Sequence, residues 1–267
     1  MIVRKPVVAG TFYPLDKYDI DSYLNSVMID VKHKKSPKAI IVPHAGYIFS
    51  ASVAASAYSL LESFDTYIIL GPNHTGLGKE ISVFNGVYDM PFGKVNADEE
   101  ICSLIVEHSS AEFDEYAHIQ EHSIEVQLPF IDYISKNKYS IVPVVVATGN
   151  RKKLTSLANA IYNAVKLSDK KILIVVSSDM NHYEDQKTTL QKDDMAIREI
   201  LNLDEESLLD TVLENDISMC GIAPAYCAIK AAKLLNASKG ELIEHKTSGE
   251  VNGDYSQVVG YASILIE

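Results

Sequence analysis

The sequence predicts an α/β fold, a single domain over residues 1–267 with a mostly parallel central sheet flanked by helices. Three observations predict it. Short runs of β-branched and aliphatic residues recur along the chain, each bounded by turn residues. Near-continuous apolar runs of this length read as strands buried on both faces, as in a parallel sheet covered on both sides. Segments of helical period lie between them, and no linker, low-complexity tract or fixed-period repeat divides the chain.

Taken in order, Ala39-Ile-Ile-Val42 is the first such strand, followed by an alanine-rich helix over residues 49–64. Residues 67–70 and 81–84 are the next two strands. Ser123 reads as a helix N-cap, with Ile124, Leu128, Ile131 and Ile134 as the buried stripe behind it. Residues 141–146 form a strand and residues 150–167 a helix, whose apolar face is Leu154, Leu157, Ala158, Ile161, Ala164 and Val165. A strand over 172–176 precedes a helix over 187–201. Asp204-Glu-Glu206 reads as a solvated helix start, where negative charge complements the dipole. Pro224 suits the first turn of a helix running to Leu235. The segments 241–246 and 257–266 flank the polar turn 247–254 and read as a closing antiparallel pair at the sheet edge.

Composition removes several functions. Of 267 residues, 24 are basic and 36 acidic, a formal charge of −12 that repels phosphates and argues against nucleic acid as a partner. The most membrane-like stretch, 38–61, is broken by Pro43, His44 and Gly46 and carries four serines, so no membrane association is expected. No targeting segment is visible, and three cysteines without close spacing, Cys102, Cys220 and Cys227, fit a reducing cytoplasm. No G-x-G-x-x-G, Walker or G-x-S-x-G motif occurs.

The histidines matter through placement. His44 follows the first strand in Pro43-His-Ala-Gly-Tyr47, and His74 follows the second in Gly71-Pro-Asn-His74. Asp179 and His182 leave the strand ending at Val176. All four would project from the carboxyl ends of strands, the edge where open α/β sheets build their sites. One histidine after a strand is ordinarily a loop residue held by a backbone hydrogen bond. Three loops with the same chemistry, stiffened by Pro43, Gly46, Gly71, Pro72 and Gly76, suit a preorganised site.

Cys220 adds a thiol at a helix amino terminus, where the dipole favours the thiolate. Cys102 and Cys227 lie in apolar helical patterns and read as core. His44, His74 and Cys220 make a three-ligand metal site with open positions, suited to zinc, copper or iron. His118-Ile-Gln-Glu-His122 matches the H-x-x-E-H of inverted zinc peptidases. A helix starting after Ser123 leaves His118 in a loop, however, so His122 and Glu125 are polar groups at a helix start, beside the site or capping it.

Six blocks in order, Ala9-Gly-Thr-Phe-Tyr-Pro14, Pro43-His-Ala-Gly-Tyr47, Leu70-Gly-Pro-Asn-His74, Glu121-His-Ser-Ile-Glu-Val-Gln-Leu-Pro-Phe130, Ser177-Ser-Asp-Met-Asn-His182 and Met219-Cys-Gly221, resemble the Memo family. The match is nearest to its archaeal and bacterial branch, the AmmeMemoRadiSam system protein B. The resemblance implies a fold similar to class III extradiol dioxygenases and a metal site from His44, His74 and Cys220, with Asp179 and His182 in the same pocket. It implies a radical SAM system as partner. In the dioxygenases the third ligand is a carboxylate, so Cys220 marks a departure that favours softer metals. Animal Memo proteins are described as phosphotyrosine-pathway effectors that bind metal. Here Arg4, Arg151 and Arg198 are too scattered for an arginine cluster.

The expected function is therefore a cytoplasmic, metal-binding, dioxygenase-like oxidoreductase using iron or copper rather than zinc, with a small-molecule or peptide ligand in the pocket. His182 is the expected general acid or base, Asp179 orients it, and His122 joins this catalytic group. Tyr47 and the turn 252–255 are expected as pocket walls. The alternatives are a binding module that keeps the pocket without chemistry and a zinc-dependent hydrolase.

Overall fold

The structure, a computed structural model, describes residues 2–267. Its elements run β1 (Ile2–Arg4), α1 (Lys17–Val27), β2 (Ala39–Val42), α2 (Tyr47–Tyr58), β3 (Thr66–Pro72), β4 (Ile81–Val83), β5 (Gly86–Met90), β6 (Gly93–Asn96), α3 (Glu99–Glu107) and β7 (Glu112–Phe113). There follow α4 (Tyr116–Ile119), a 3-10 turn (Glu125–Gln127), α5 (Leu128–Ile134), β8 (Ser140–Val146), α6 (Arg151–Leu167), β9 (Ile172–Ser177) and β10 (His182–Glu184). The chain ends with α7 (Gln186–Leu201), α8 (Glu205–Glu214), α9 (Ile222–Leu234), β11 (Gly240–Thr247), α10 (Gly249–Asn252) and β12 (Val258–Ile266).

A nine-stranded mixed sheet runs in the order β10-β12-β2-β9-β3-β8-β4-β7, with β11 also paired to β12. Its centre, β2-β9-β3-β8, is parallel, so these four strands end at one edge. Antiparallel pairs flank that centre, β4 against β8 on one side and β12 against β2 on the other. The central strands alternate between two cores. Ile41, Ile68, Leu70 and Ile174 pack with α6 and α9 on one face, and Ile40, Val42, Tyr67 and Ile69 pack with α2 and α5 on the other. That two-sided burial is why the runs show no polar alternation. No helix among the described residues is long and apolar enough to cross a membrane.

Several boundaries differ from the sequence reading. Helix α2 begins at Tyr47 and stops at Tyr58 instead of spanning 49–64, because Leu61 leaves the helix to bridge Lys35. Ser123 caps no helix. Its hydroxyl donates to the Pro72 carbonyl, and the chain first makes the 3-10 turn before Pro129 opens α5. His118 lies not in a loop but in α4, fully buried, with Nε2 on the Ser82 carbonyl at 3.1 Å. Asp204 does cap α8, but Glu205 is buried and paired with Lys230 and Lys233 of α9, so that start is a helix contact rather than a solvated end. The C-terminal pair forms as expected, with β12 running inward against β2. A separate three-stranded sheet, β1-β5-β6, was not foreseen.

Candidate metal centre

At the carboxyl edge of the parallel strands, three loops and one segment from the middle of the chain meet. The loop after β2 carries His44, and two backbone N–H groups, of His44 and Ala45, donate to Asp179 Oδ1 at 2.8 and 3.3 Å. The loop after β3 carries His74, where Asn73 Oδ1 accepts from Thr75 and Gly76 N–H and closes a tight turn. The segment Glu121-His122-Ser123 then packs against the end of β3. Gly71 permits this approach, since a Cβ there would strike the Ser123 side chain.

Donor atoms of His44, His74 and His122 all lie within 4.8 Å of one another. The His74 and His122 rings stack at 4.7 Å, and His44 stands edge-on to both, at 5.0 and 5.4 Å. His122 is supported on its outer side by Phe12, edge-on at 4.9 Å. Sequence reasoning placed His122 beside the site; the structure makes it the third imidazole of the cluster. No strand precedes it, so only tertiary packing brings it there.

The hydrogen-bond network assigns the tautomers. Ser177 Oγ donates to the Ser123 carbonyl at 2.6 Å and accepts from Gln127 Nε2 at 2.8 Å, so its contact at 3.0 Å requires His44 Nδ1 to donate. Glu121 Oε1 likewise accepts from His74 Nδ1 at 2.8 Å, while Oε2 takes the His74 backbone N–H at 2.6 Å. In its neutral form each ring therefore carries its proton on Nδ1 and leaves Nε2 as the lone pair, the arrangement by which carboxylate and hydroxyl partners orient histidine ligands.

Electrostatics favour the neutral form at two of the three rings. Burial, with the neighbouring imidazoles adding to it, pulls His44 down to about 4 and lowers His122, so both are neutral near pH 7. For His74 burial acts the same way, but the Glu121 hydrogen bond and charge outweigh it and raise the pKa. Burial also opposes ionisation of Glu121, yet its bonds to His74 and to Ser123 N–H hold it down to about 2.

Cys220, in the loop before α9, approaches from the other side. Its Sγ lies 3.3 Å from His44 Nε2 and accepts from Asp179 N–H at 3.3 Å. An imidazole nitrogen and a sulfur on one tetrahedral ion, with bonds of roughly 2.0 and 2.3 Å, stand about 3.5 Å apart, so the His44–Cys220 spacing fits a shared ion. The expected dipole-favoured thiolate is not what the environment supports without metal. Burial, followed by the Asp179 charge, pushes the thiol well up. Gly221 lets this loop lie against Ser178, where a Cβ would collide, and Gly221 N–H donates to Ser178 Oγ. Cys102 and Cys227 are buried core thiols, as their patterns predict.

Together these residues open on a cavity of about 570 Å³, whose outer wall is Phe12, His182, Tyr183, Ser218 and Val259. Asp179 is nearly buried, with Oδ2 3.9 Å from His44 Nε2. Tyr47 is not a wall residue. It is buried and its hydroxyl donates to the Val126 carbonyl. The wall expected from the turn 252–255 is supplied by Val259 instead. Glu125 does not cap a helix in solvent but is buried against Arg4, and accepts from Val7, Val8 and Tyr13.

The donor set fits a transition metal or zinc: oriented imidazoles, a thiol within reach and a carboxylate behind them. Similarity to known proteins gives the family. The family model described as "Memo-like protein" matches residues 4–265. A MEMO1 family protein of Aquifex aeolicus is 41% identical over 99% of both chains, and one of Desulfurococcus amylolyticus is 45% identical over 98% of both. In fold, the chain is similar to the crystal structure of an uncharacterized Escherichia coli K12 protein, with a TM-score of 0.55 at 12% identity, covering 86% of this chain and 100% of that one. With the match running nearly end to end and through every loop of the histidine cluster, the chain belongs to the Memo family.

Proposed function

We propose that the protein is a metal-dependent oxidoreductase of dioxygenase-like fold, one Memo-like domain over residues 1–267, acting on a small-molecule or peptide ligand in the cavity. The observation that carries this reading is the convergence of three imidazoles, two of them turned by Ser177 and Glu121 so that Nε2 is free. His44 and His74 are the core of the ligand set, and His122 and Cys220 are the donors on either side of them. Iron or copper bound there would supply a redox centre and a Lewis acid for a ligand oxygen.

The protein's own groups have distinct tasks around that centre. Asp179 clamps the His44 loop through two backbone N–H groups, fixing the imidazole before anything binds. Cys220 would hold the ion as its thiolate, giving up the proton that burial otherwise retains. His182, on the outer wall, exchanges a proton with the ligand. The cytoplasmic location and the radical SAM system partner expected for this branch belong to the same reading.

Anaerobic purification followed by analysis for iron, copper and zinc tests it. Iron or copper should approach one ion per chain and fall at least tenfold in His44→Ala and His74→Ala. A thiolate-to-metal absorption band should vanish in Cys220→Ala and persist in His122→Ala. Metal content unchanged in the His44 and His74 variants would overturn the site. A three-imidazole set also serves zinc with a bound water, so a zinc-dependent hydrolase is the second reading. Zinc alone, without oxygen uptake on diols, would favour it.

A further inference from the structure

Three irregularities coincide at His182. In the antiparallel pairing of β10 with β12, His182 faces Val259 and Glu184 faces Val258, which leaves Tyr183 as the extra residue of a β-bulge. Tyr183 itself has φ 60°, a left-handed conformation that bulky residues seldom adopt. Asn181, on the other side, is a wholly buried amide. Bulges re-aim side chains, and a strained residue persists only where its surroundings over-determine it.

The surroundings here form a reciprocal lock. Asn181 Oδ1 accepts from Ser218 N–H and from the Ser218 hydroxyl, both at 3.1 Å. Ser218 returns two bonds to the next residue: its Oγ accepts from His182 N–H at 2.7 Å, and its carbonyl accepts from His182 Nδ1 at 2.8 Å. Asn181 is fixed in turn, its N–H donating to Asp193 Oδ1 at 2.8 Å and its Nδ2 to Glu184 Oε2 at 2.6 Å. Asp193 is buried and held by His245 Nε2 at 2.8 Å. A carbonyl oxygen can only accept, so Nδ1 of His182 carries the proton and Nε2 is the ring's free lone pair.

We propose that Asn181 and Ser218 are positioning residues that lock His182 as a hydrogen-bond acceptor at the cavity wall, so that a ligand meets it with an O–H or N–H donor. This deepens the proposed function, since it takes the cavity as the reaction site. Ser218 lies two residues before Cys220, and the lock therefore joins the acceptor to the loop that carries the thiol.

The tautomer is directly measurable. In metal-free protein labelled with 15N-histidine, long-range 1H–15N correlation spectra above pH 8, assigned with His182→Gln, should show His182 as the Nδ1–H tautomer, the reverse of the form free histidine prefers. Ser218→Ala keeps the carbonyl but removes the hydroxyl bonds to Asn181 and to His182 N–H, and should shift His182 toward a tautomeric mixture while the melting temperature moves by only a few degrees. A role confined to stability would lower the melting temperature and leave the tautomer alone, which overturns the proposal. So does an Nε2–H or free-histidine pattern in the wild-type protein, a result that needs no variant to fold. Metal content is read on separate samples. Loss of metal binding with the tautomer intact would refute the metal reading and leave the lock standing.

Discussion

Glu121 orients the His74 imidazole and places its carboxylate 3.7 Å from His122 Nδ1. It accepts from the His74 ring, the His74 backbone and Ser123 N–H, and stays ionised despite burial. Glu121→Gln keeps the shape but removes the charge and leaves an amide of either orientation. Partners that orient a ligand typically contribute 10–100-fold to metal affinity. Competition against a chelator should show a loss of about that size, and unchanged affinity would remove Glu121 from the site. Gly71→Ala drives a methyl into Ser123 and should cost about 1–3 kcal/mol of unfolding free energy in urea. At this scale the sequence was legible wherever a residue followed a strand: His44, His74, Asp179 and His182 all stand at the edge their positions predicted. His122 was legible as a polar group but not as the third imidazole, because no strand delivers it. Cys220 was legible in place but not in charge state, since a helix terminus says nothing of how deeply the sulfur is buried.

The element that delivers His122 is held from the far end of the chain. Arg4 donates to the His118 and Glu121 carbonyls at 3.0 and 2.6 Å and pairs with buried Glu125, which also gathers Val7, Val8 and Tyr13. Breaking a buried pair from one side leaves a charge without compensation, a loss of about 3–5 kcal/mol. Glu125→Gln should show that loss in denaturant unfolding, together with faster amide exchange across 118–127. Stability within about 1 kcal/mol of wild type would mean that the segment is held by packing alone. The central strands were readable because burial on both faces writes an unbroken apolar run. The three-stranded sheet was not, since β1 and β6 are short and largely exposed, and their partner β5 lacks such a run. Helix α2 was read too long because the apolar residues past Tyr58 that suggested more helix pack in the same core from a turn.

For the molecule as a whole, buried histidines make stability a function of pH. Burial holds His44 and His118 near 4, while the unfolded chain titrates them near 6.5. The folded state thus refuses protons that the unfolded state takes up. Their contribution is complete above about pH 6.5 and is lost as pH falls toward 4, at up to roughly 1.4 kcal/mol per pH unit for each. His74, raised by Glu121, works in the opposite sense, since its contribution is complete below 6.5 and fades as pH rises. With two large downward shifts against one upward, metal-free protein should be less stable at pH 5 than at pH 7 by about 1–3 kcal/mol, measured by urea unfolding. A stability that is flat or rises on acidification would refute the burial of these rings.

The strand order bears on how firmly the His44 loop is held. Strand β2, which aims His44, pairs with β9 on one side and with β12 on the other, so neither of its edges is open to a further strand. Amide hydrogens of Ile40 and Ile41 should therefore be among the slowest in the protein to exchange with solvent, released only when the sheet itself opens.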